Sequence, residues 1–243
     1  MSLWKAISAT YRGSIAFLIA CPLLALVPVV FELIQHAAEA HIGMYDSIAA
    51  AKATEHHPLR MASGLIKVAA LVVPAYWIIR FLAYRDPRAV RTIDTRAIRL
   101  FAGVVAFQMA FAVLQLFVLP QTPAVLIGAL VIGHLIACLA PAWTIAAALG
   151  NAEIGPAASI RIMARQLPWS FLFLLCAILP LMIPHYALGA AALLGGKAWL
   201  WPLLMLDSLL VGWLCAVMAA SSYVAAQKAA TSRNIALRPD PAQ

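Results

Sequence analysis

RDPRAVRTIDTRAIR, Arg85–Arg99, is the one dense basic segment in a chain that is otherwise mostly apolar. Lysine and arginine in the short loops of membrane proteins collect on the cytoplasmic side, so this segment pins the ends of its two flanking apolar stretches there. Asp86 reads as an N-cap and Pro87 as a first helical residue. From Pro87 onward, Arg88, Arg91, Thr95 and Arg99 share one helical face while Val90, Ile93 and Ala97 share the other. The segment is expected to lie as a helix on the inner leaflet.

Composition agrees with that reading. Hydrophobic residues make up 65% of the chain and charged ones 11%, and 243 residues are too few to bury so much apolar surface in a water-soluble core. Lipid must cover it. The excess of base over acid does not point to nucleic acid, because the basic residues sit beside apolar runs of roughly 20 residues, where the positive-inside bias explains them. Cys21, Cys138, Cys176 and Cys215 each stand alone in a separate apolar run and form no disulfide framework.

Outward from the basic segment, six spans can be traced. Ser2–Arg12 has Trp4, Ile7 and Tyr11 on one face and Lys5, Ser8 and Arg12 on the other, the pattern of an interfacial helix. Ser14–Ile34 follows as the first span, with a cleaved signal peptide as the alternative, since Ala38-Glu39-Ala40 would serve as a cleavage site. Glu32–Arg60 is the long outer connection, holding four of the nine acids and four of the six histidines. Ser63–Tyr84 returns inward, with Lys67 and Arg80 expected to snorkel to the two surfaces. Leu100–Leu119 and Ala124–Leu149 form the next pair, Asn151–Gln166 a second basic inner helix carrying Arg161 and Arg165, and Pro168–Leu194 and Trp199–Gln227 the last pair. The fold class is therefore an all-α polytopic membrane protein with six transmembrane helices and both ends cytoplasmic. The membrane domain covers residues 1–230, and the polar tail 231–243 is expected to be disordered.

With this topology 13 of the 17 lysines and arginines fall on or near the inner face, the exceptions being Lys52, Arg60, Lys67 and Lys197. Three times the chain runs a short basic amphipathic segment and then a hairpin of spans, which reads as a three-fold repeat; the alternative is that any six-helix protein obeying the charge rule shows basic inner loops. The segments RAVRTIDTRAIRLF (90–101 with its preceding Arg88-Ala89) and APAWTIAAALGNAEIGPAASIRIMARQLPWSF (140–171), with the helix spacing, resemble the six-helix membrane domain fused to some glycerophosphodiester phosphodiesterases and shared with uncharacterised bacterial inner-membrane proteins. That resemblance covers roughly residues 1–230. It implies fold and location; the soluble phosphodiesterase barrel of the fused members has no counterpart in this sequence, so their hydrolase activity does not carry over.

Catalytic motifs are missing: no GxxxxGK[ST], HExxH or GxSxG occurs. No enzymatic activity and no cofactor are expected. The strongest positive features are ionisable residues at membrane depth, which need a partner or water. His134 and Asp207 lie next to ridges of small residues and at similar depth, so a buried pair is expected, with Gln108 as a third member beside the ridge Ala102, Ala106 and Ala110. The pair reads as a structural clamp or as a relay. In the outer connection His36, Glu39, His41, His56 and His57 are weak metal candidates, because their spacing matches no firm ligand pattern, and His185 reads as interfacial. The expected partners are membrane lipids, with Lys5, Arg12, Arg88, Arg91, Arg99, Arg161 and Arg165 contacting anionic headgroups at the inner leaflet. The expected function is a lipid-associated or envelope-maintenance scaffold of the bacterial inner membrane; the alternative is a small permease using His134 and Asp207.

Overall fold

A computed structural model describes residues 1–120 and 122–239, except for the side chain of Ala89. The described residues are mostly helical and contain no strand. Twelve α-helices follow one another: α1 (Leu3–Ala20), α2 (Pro22–His41), α3 (Ile48–Ala53), α4 (Pro58–Val72), α5 (Ala75–Tyr84), α6 (Pro87–Arg91), α7 (Thr95–Val113), α8 (Pro123–Leu139), α9 (Pro141–Ala148), α10 (Pro156–Met163), α11 (Leu167–Leu194) and α12 (Lys197–Thr231). Among the described residues, five continuous or gently bent helical segments are long and apolar enough to cross a membrane, and the pair α8 and α9, bent by 52°, makes a sixth when counted as one span.

The axis of the bundle is α12, whose 35 residues make it about 52 Å long. Its buried side is a run of small residues, from Ser208 and Gly212 through Ala216, Ala219 and Ala220 to Ala229 and Ala230. Small side chains let neighbouring backbones approach closely, and in lipid that approach is the main source of helix association. At Gly212 a β-carbon would come within 2.5 Å of the Val29 side chain and 3.3 Å of the Ala25 carbonyl oxygen. α1 and α2 pack along this ridge one after the other, and α11 runs antiparallel beside it.

This packing revises the first span. Ser2–Arg12 is not a separate interfacial helix: α1 continues to Ala20 and buries Ala6, Thr10, Gly13, Ser14 and Phe17. Tyr11 donates its hydroxyl to the Ala177 carbonyl at 3.0 Å, and the Trp213 indole donates to Ser14 Oγ at 3.1 Å. Lys5 and Arg12 remain exposed. The chain breaks at Cys21, where Pro22 starts a new helix, and the apolar segment long enough to span is Pro22–His41. Glu32, His36 and Glu39 thus belong to a helix rather than to the outer loop.

Proline also divides two other spans. Pro74 separates α4 from α5, and Pro141 separates α8 from α9. At the second break a neighbouring side chain completes the backbone. The Trp143 N–H donates to Ser159 Oγ at 3.0 Å, and Ser159 donates its hydroxyl to the Leu139 carbonyl at 2.7 Å. The hydroxyl is inserted where the direct i+4 bond would have been, which is how lipid-buried helices tolerate a bend. Ser159 lies on α10, which is fully buried at that position and runs on into α11 as one segment, Pro156–Leu194, rather than lying apart on the surface.

The basic segment is likewise divided. Asp86 caps α6 by accepting from Arg88 N at 2.8 Å, as expected. The helix stops at Arg91 because Asp94 caps a second one, accepting from Ala97 N at 2.9 Å. Val90 and Ala97 are buried, but Ile93, in the linker, is 81% exposed. Arg80 does not snorkel: it is buried beneath this linker, donating to Asp94 Oδ2 at 3.4 Å and to the Ala148 carbonyl at 3.3 Å. Its guanidinium also stacks over the rings of Tyr76 and Tyr84.

One end of the bundle gathers the start of α1, the α5–α7 connection, residues 149–155 and the C-terminal segment in a single apolar cluster that includes Ala6, Ala83, Ala97, Leu149, Met163 and Leu237. The tail is part of it. Asn151 donates to the Leu237 carbonyl, and Arg238 bonds the Ala83 carbonyl and stacks on Tyr84, so the packed domain extends past residue 230. The expectation of disorder for residues 240–243 lies outside the described residues.

Candidate functional site

At the opposite end of the bundle, three acids and two histidines from three helices converge. Glu32, His36 and Glu39 stand at i, i+4 and i+7 on α2, the spacing that places side chains on one face. That face is turned to α12, where Asp207 projects, and the turn at Gly195-Gly196 brings His185 of α11 alongside. Glu32 is 0% and Asp207 1% exposed, so neither carboxylate is solvated by water. Each must find its counter-charge in the protein.

They do so in pairs. Asp207 Oδ2 lies 3.1 Å from His36 Nε2 and Asp207 Oδ1 2.7 Å from His185 Nδ1. Lys67, on α4, holds the Glu32 carboxylate at 2.7 Å from each oxygen instead of reaching the surface. Arg60 donates its Nε to Glu39 Oε1 at 3.2 Å, and Gln35 donates to the same oxygen at 2.9 Å. Tyr45, in the connection beyond α2, donates its hydroxyl to Glu39 Oε2 at 2.8 Å. Burial, reinforced by the charge of Glu39, drives the Tyr45 phenol above its ordinary range and keeps it a donor.

Those contacts fix the His36 tautomer. With the Tyr45 proton committed to Glu39, the phenolic oxygen accepts from His36 Nδ1 at 3.1 Å, so the hydrogen of a neutral ring sits on Nδ1. Nε2 then faces Asp207 Oδ2 at 3.1 Å and Glu32 Oε1 at 3.4 Å, both acceptors when ionised. Beside the Lys67 ammonium on Glu32 Oε1, these atoms call for a proton on Nε2 or another cation between Nε2 and Asp207 Oδ2. The charge count agrees: Glu32, Glu39 and Asp207 outnumber Lys67 and Arg60 by one.

Asp207 is buried, as expected, but it pairs with His36 and His185 and not with His134. His134 lies on α8, half-buried, with Nε2 3.2 Å from the Phe171 carbonyl oxygen and its ring edge-on to that of Phe171. Gln108 faces a cavity of about 310 Å³ between α4, α7, α8, α9 and α12, lined also by Gln115 and Thr144. Of the outer candidates, His36 and Glu39 are in the cluster, whereas His41, His56 and His57 are exposed and His57 serves as the cap of α4. His185 and Lys67, read as surface groups, are part of the network. The i, i+4, i+7 spacing of Glu32, His36 and Glu39 is the sequence signal for this face, and it falls within α2 because that helix runs on to His41 instead of ending at Ile34.

The lateral surface carries a second feature. A groove of about 1110 Å³ opens between the α1–α2 break and α5–α7, walled by Leu24, Trp77, Val90, Phe101, Ala102 and Ala106. Arg91 is the one charged side chain in its wall among the described residues. Ala102 and Ala106, expected to form a helix-packing ridge, are exposed; their small size leaves the groove open instead.

No family model matches the chain, and comparison with curated proteins and with solved structures likewise finds no match. Fold and site together define an all-α, multi-pass membrane protein with a buried carboxylate and imidazole cluster among its helices.

Proposed function

We propose that this chain is a lipid-associated scaffold of the bacterial inner membrane, with both termini in the cytoplasm, that holds an anionic phospholipid in its lateral groove and carries out no catalytic turnover. The observation that carries the reading is the groove itself. Its walls are aliphatic and aromatic, it lies beside helices long enough to span, and Arg91 on its wall offers the charge that a phosphate group would pair with. Arg88, Arg99, Lys5, Arg12, Arg161 and Arg165 are all exposed, as headgroup contacts must be. The resemblance of the 88–101 and 140–171 segments to the membrane domain described above supports the same fold and location.

Native mass spectrometry of protein purified in mild detergent tests this reading. The wild-type chain is expected to retain phosphatidylglycerol in preference to phosphatidylcholine. Ala106→Trp, which fills the groove, should abolish retention without unfolding the protein, and Arg91→Gln should reduce the preference by roughly fivefold, the effect of about 1 kcal/mol per surface charge. Equal retention by all three proteins would exclude the groove as a lipid site.

A second reading, a small permease, is favoured by the buried cluster rather than by His134. In proteoliposomes, solute uptake driven by a proton gradient and abolished by Asp207→Asn with no loss of stability would replace the scaffold reading.

A further inference from the structure

We propose that Glu32 Oε1, His36 Nε2 and Asp207 Oδ2 form a binding site for a zinc-type divalent cation, with a solvent oxygen as the fourth ligand. The inference is independent of the lipid reading, since the groove and this cluster share no residue.

Donor spacing is the first argument. A tetrahedral ion with bonds of about 2.0–2.1 Å has ligand atoms about 3.3 Å apart along each edge. The Glu32 and His36 donors stand 3.4 Å apart and the His36 and Asp207 donors 3.1 Å, with all three ligand atoms within 4.8 Å of one another. Two carboxylate oxygens and one imidazole nitrogen form a donor set that zinc accepts.

The surroundings supply the second argument. A metal-binding imidazole characteristically donates its other ring N–H to an oxygen that is itself anchored, which fixes the ring and raises its basicity. His36 Nδ1 does this toward Tyr45 Oη at 3.1 Å, with Glu39 Oε2 at 3.4 Å, and Glu39 is held in turn by Arg60, Gln35 and Tyr45. Asp207 is oriented by His185, which donates Nδ1–H to the oxygen that does not face His36, at 2.7 Å. Lys67 Nζ donates to Glu32 Oε1 at 2.7 Å and stands equally close to the buried Oε2, which makes no hydrogen bond and can take the ammonium when Oε1 binds the ion.

Charge gives the third. Three carboxylates against Lys67 and Arg60 leave one negative charge. A divalent ion carrying hydroxide adds one positive charge and makes the cluster neutral, as one proton on His36 does in its absence. Three protein ligands with an open fourth position are the arrangement in which zinc binds a solvent molecule or an exogenous anion.

Zinc content of the full-length protein in chelator-free detergent, measured by plasma mass spectrometry and then by competition with a chromogenic chelator, tests the site. One zinc per chain is expected. Glu39→Gln, a positioning change, should weaken binding by 10- to 100-fold. Asp207→Asn should abolish it at the same chelator concentration; Glu32→Gln serves the same purpose if the first variant does not fold. The combined His41→Ala, His56→Ala and His57→Ala protein should bind as the wild type does. Cobalt substituted for zinc should show the strong visible bands of a tetrahedral site. A folded wild-type protein that takes up no zinc or cobalt would overturn the proposal and leave a proton as the missing charge. Loss of binding in the triple histidine variant would place the metal in the outer connection instead.

Discussion

His36 Nε2 and Asp207 Oδ2 lie 3.1 Å apart across the interface of α2 and α12, although 171 residues separate them in the chain. The contact joins the first long span to the last. It also sets what each partner tolerates, because removing one member of a buried ionic pair leaves the other unsatisfied in a medium of low dielectric.

Replacement of Asp207 should therefore distinguish charge from hydrogen bonding. Asp207→Leu strands His36 and His185 together and is expected to cost about 3–5 kcal/mol in detergent. Asp207→Asn retains a group that can accept from His185 and should cost clearly less. Thermal unfolding followed by circular dichroism checks the order; equal losses would mean that shape alone matters there.

Ser159 offers a test at the bend between α8 and α9. Ser159→Ala leaves the Trp143 N–H and the Leu139 carbonyl facing each other without the bridging hydroxyl. The expected loss is about 1–3 kcal/mol, the cost of unsatisfied buried polar groups. Faster hydrogen exchange confined to residues 139–144 would accompany it.

Two glycines should respond in opposite directions to the same change. Gly212→Ala places a β-carbon 2.5 Å from the Val29 side chain, and the stiff branched residue cannot yield freely, so a loss of about 1–3 kcal/mol is expected. Gly189→Ala meets no atom within 4 Å and removes a flexible residue from the interior of α11, so stability should rise by about 0.5–1 kcal/mol. Denaturation midpoints of the two variants in one detergent provide the comparison.

Topology is tested by single cysteines in a chain freed of its native four. Glu55→Cys, on the exposed outer connection, should react with a membrane-impermeant maleimide in intact cells. Arg88→Cys should react only after permeabilisation if the segment follows the positive-inside rule. Labelling of Arg88→Cys in intact cells would invert the arrangement.

The sequence by itself determined the class of this protein. Apolar runs of roughly 20 residues and basic segments between them can be read locally, since the solvent requirement acts on each stretch independently. Local chemistry likewise gave the Asp86 cap and the ridge of small residues beside Asp207. Tertiary structure alone decided the partners. His134 and Asp207 looked equivalent in depth, but depth leaves the rotation of each helix about its axis undetermined, and that rotation turns His134 toward Phe171 and Asp207 toward His36 and His185. Arg80 and Lys67 were expected at the surface because both can snorkel; each is instead held by a carboxylate from another part of the chain, Asp94 in one case and Glu32 in the other. The separation between Glu32 and Lys67, 35 residues, or between His36 and Asp207, 171 residues, is bridged only when the helices pack, so the spacing along α2 marks one face of the cluster and leaves its partners undetermined.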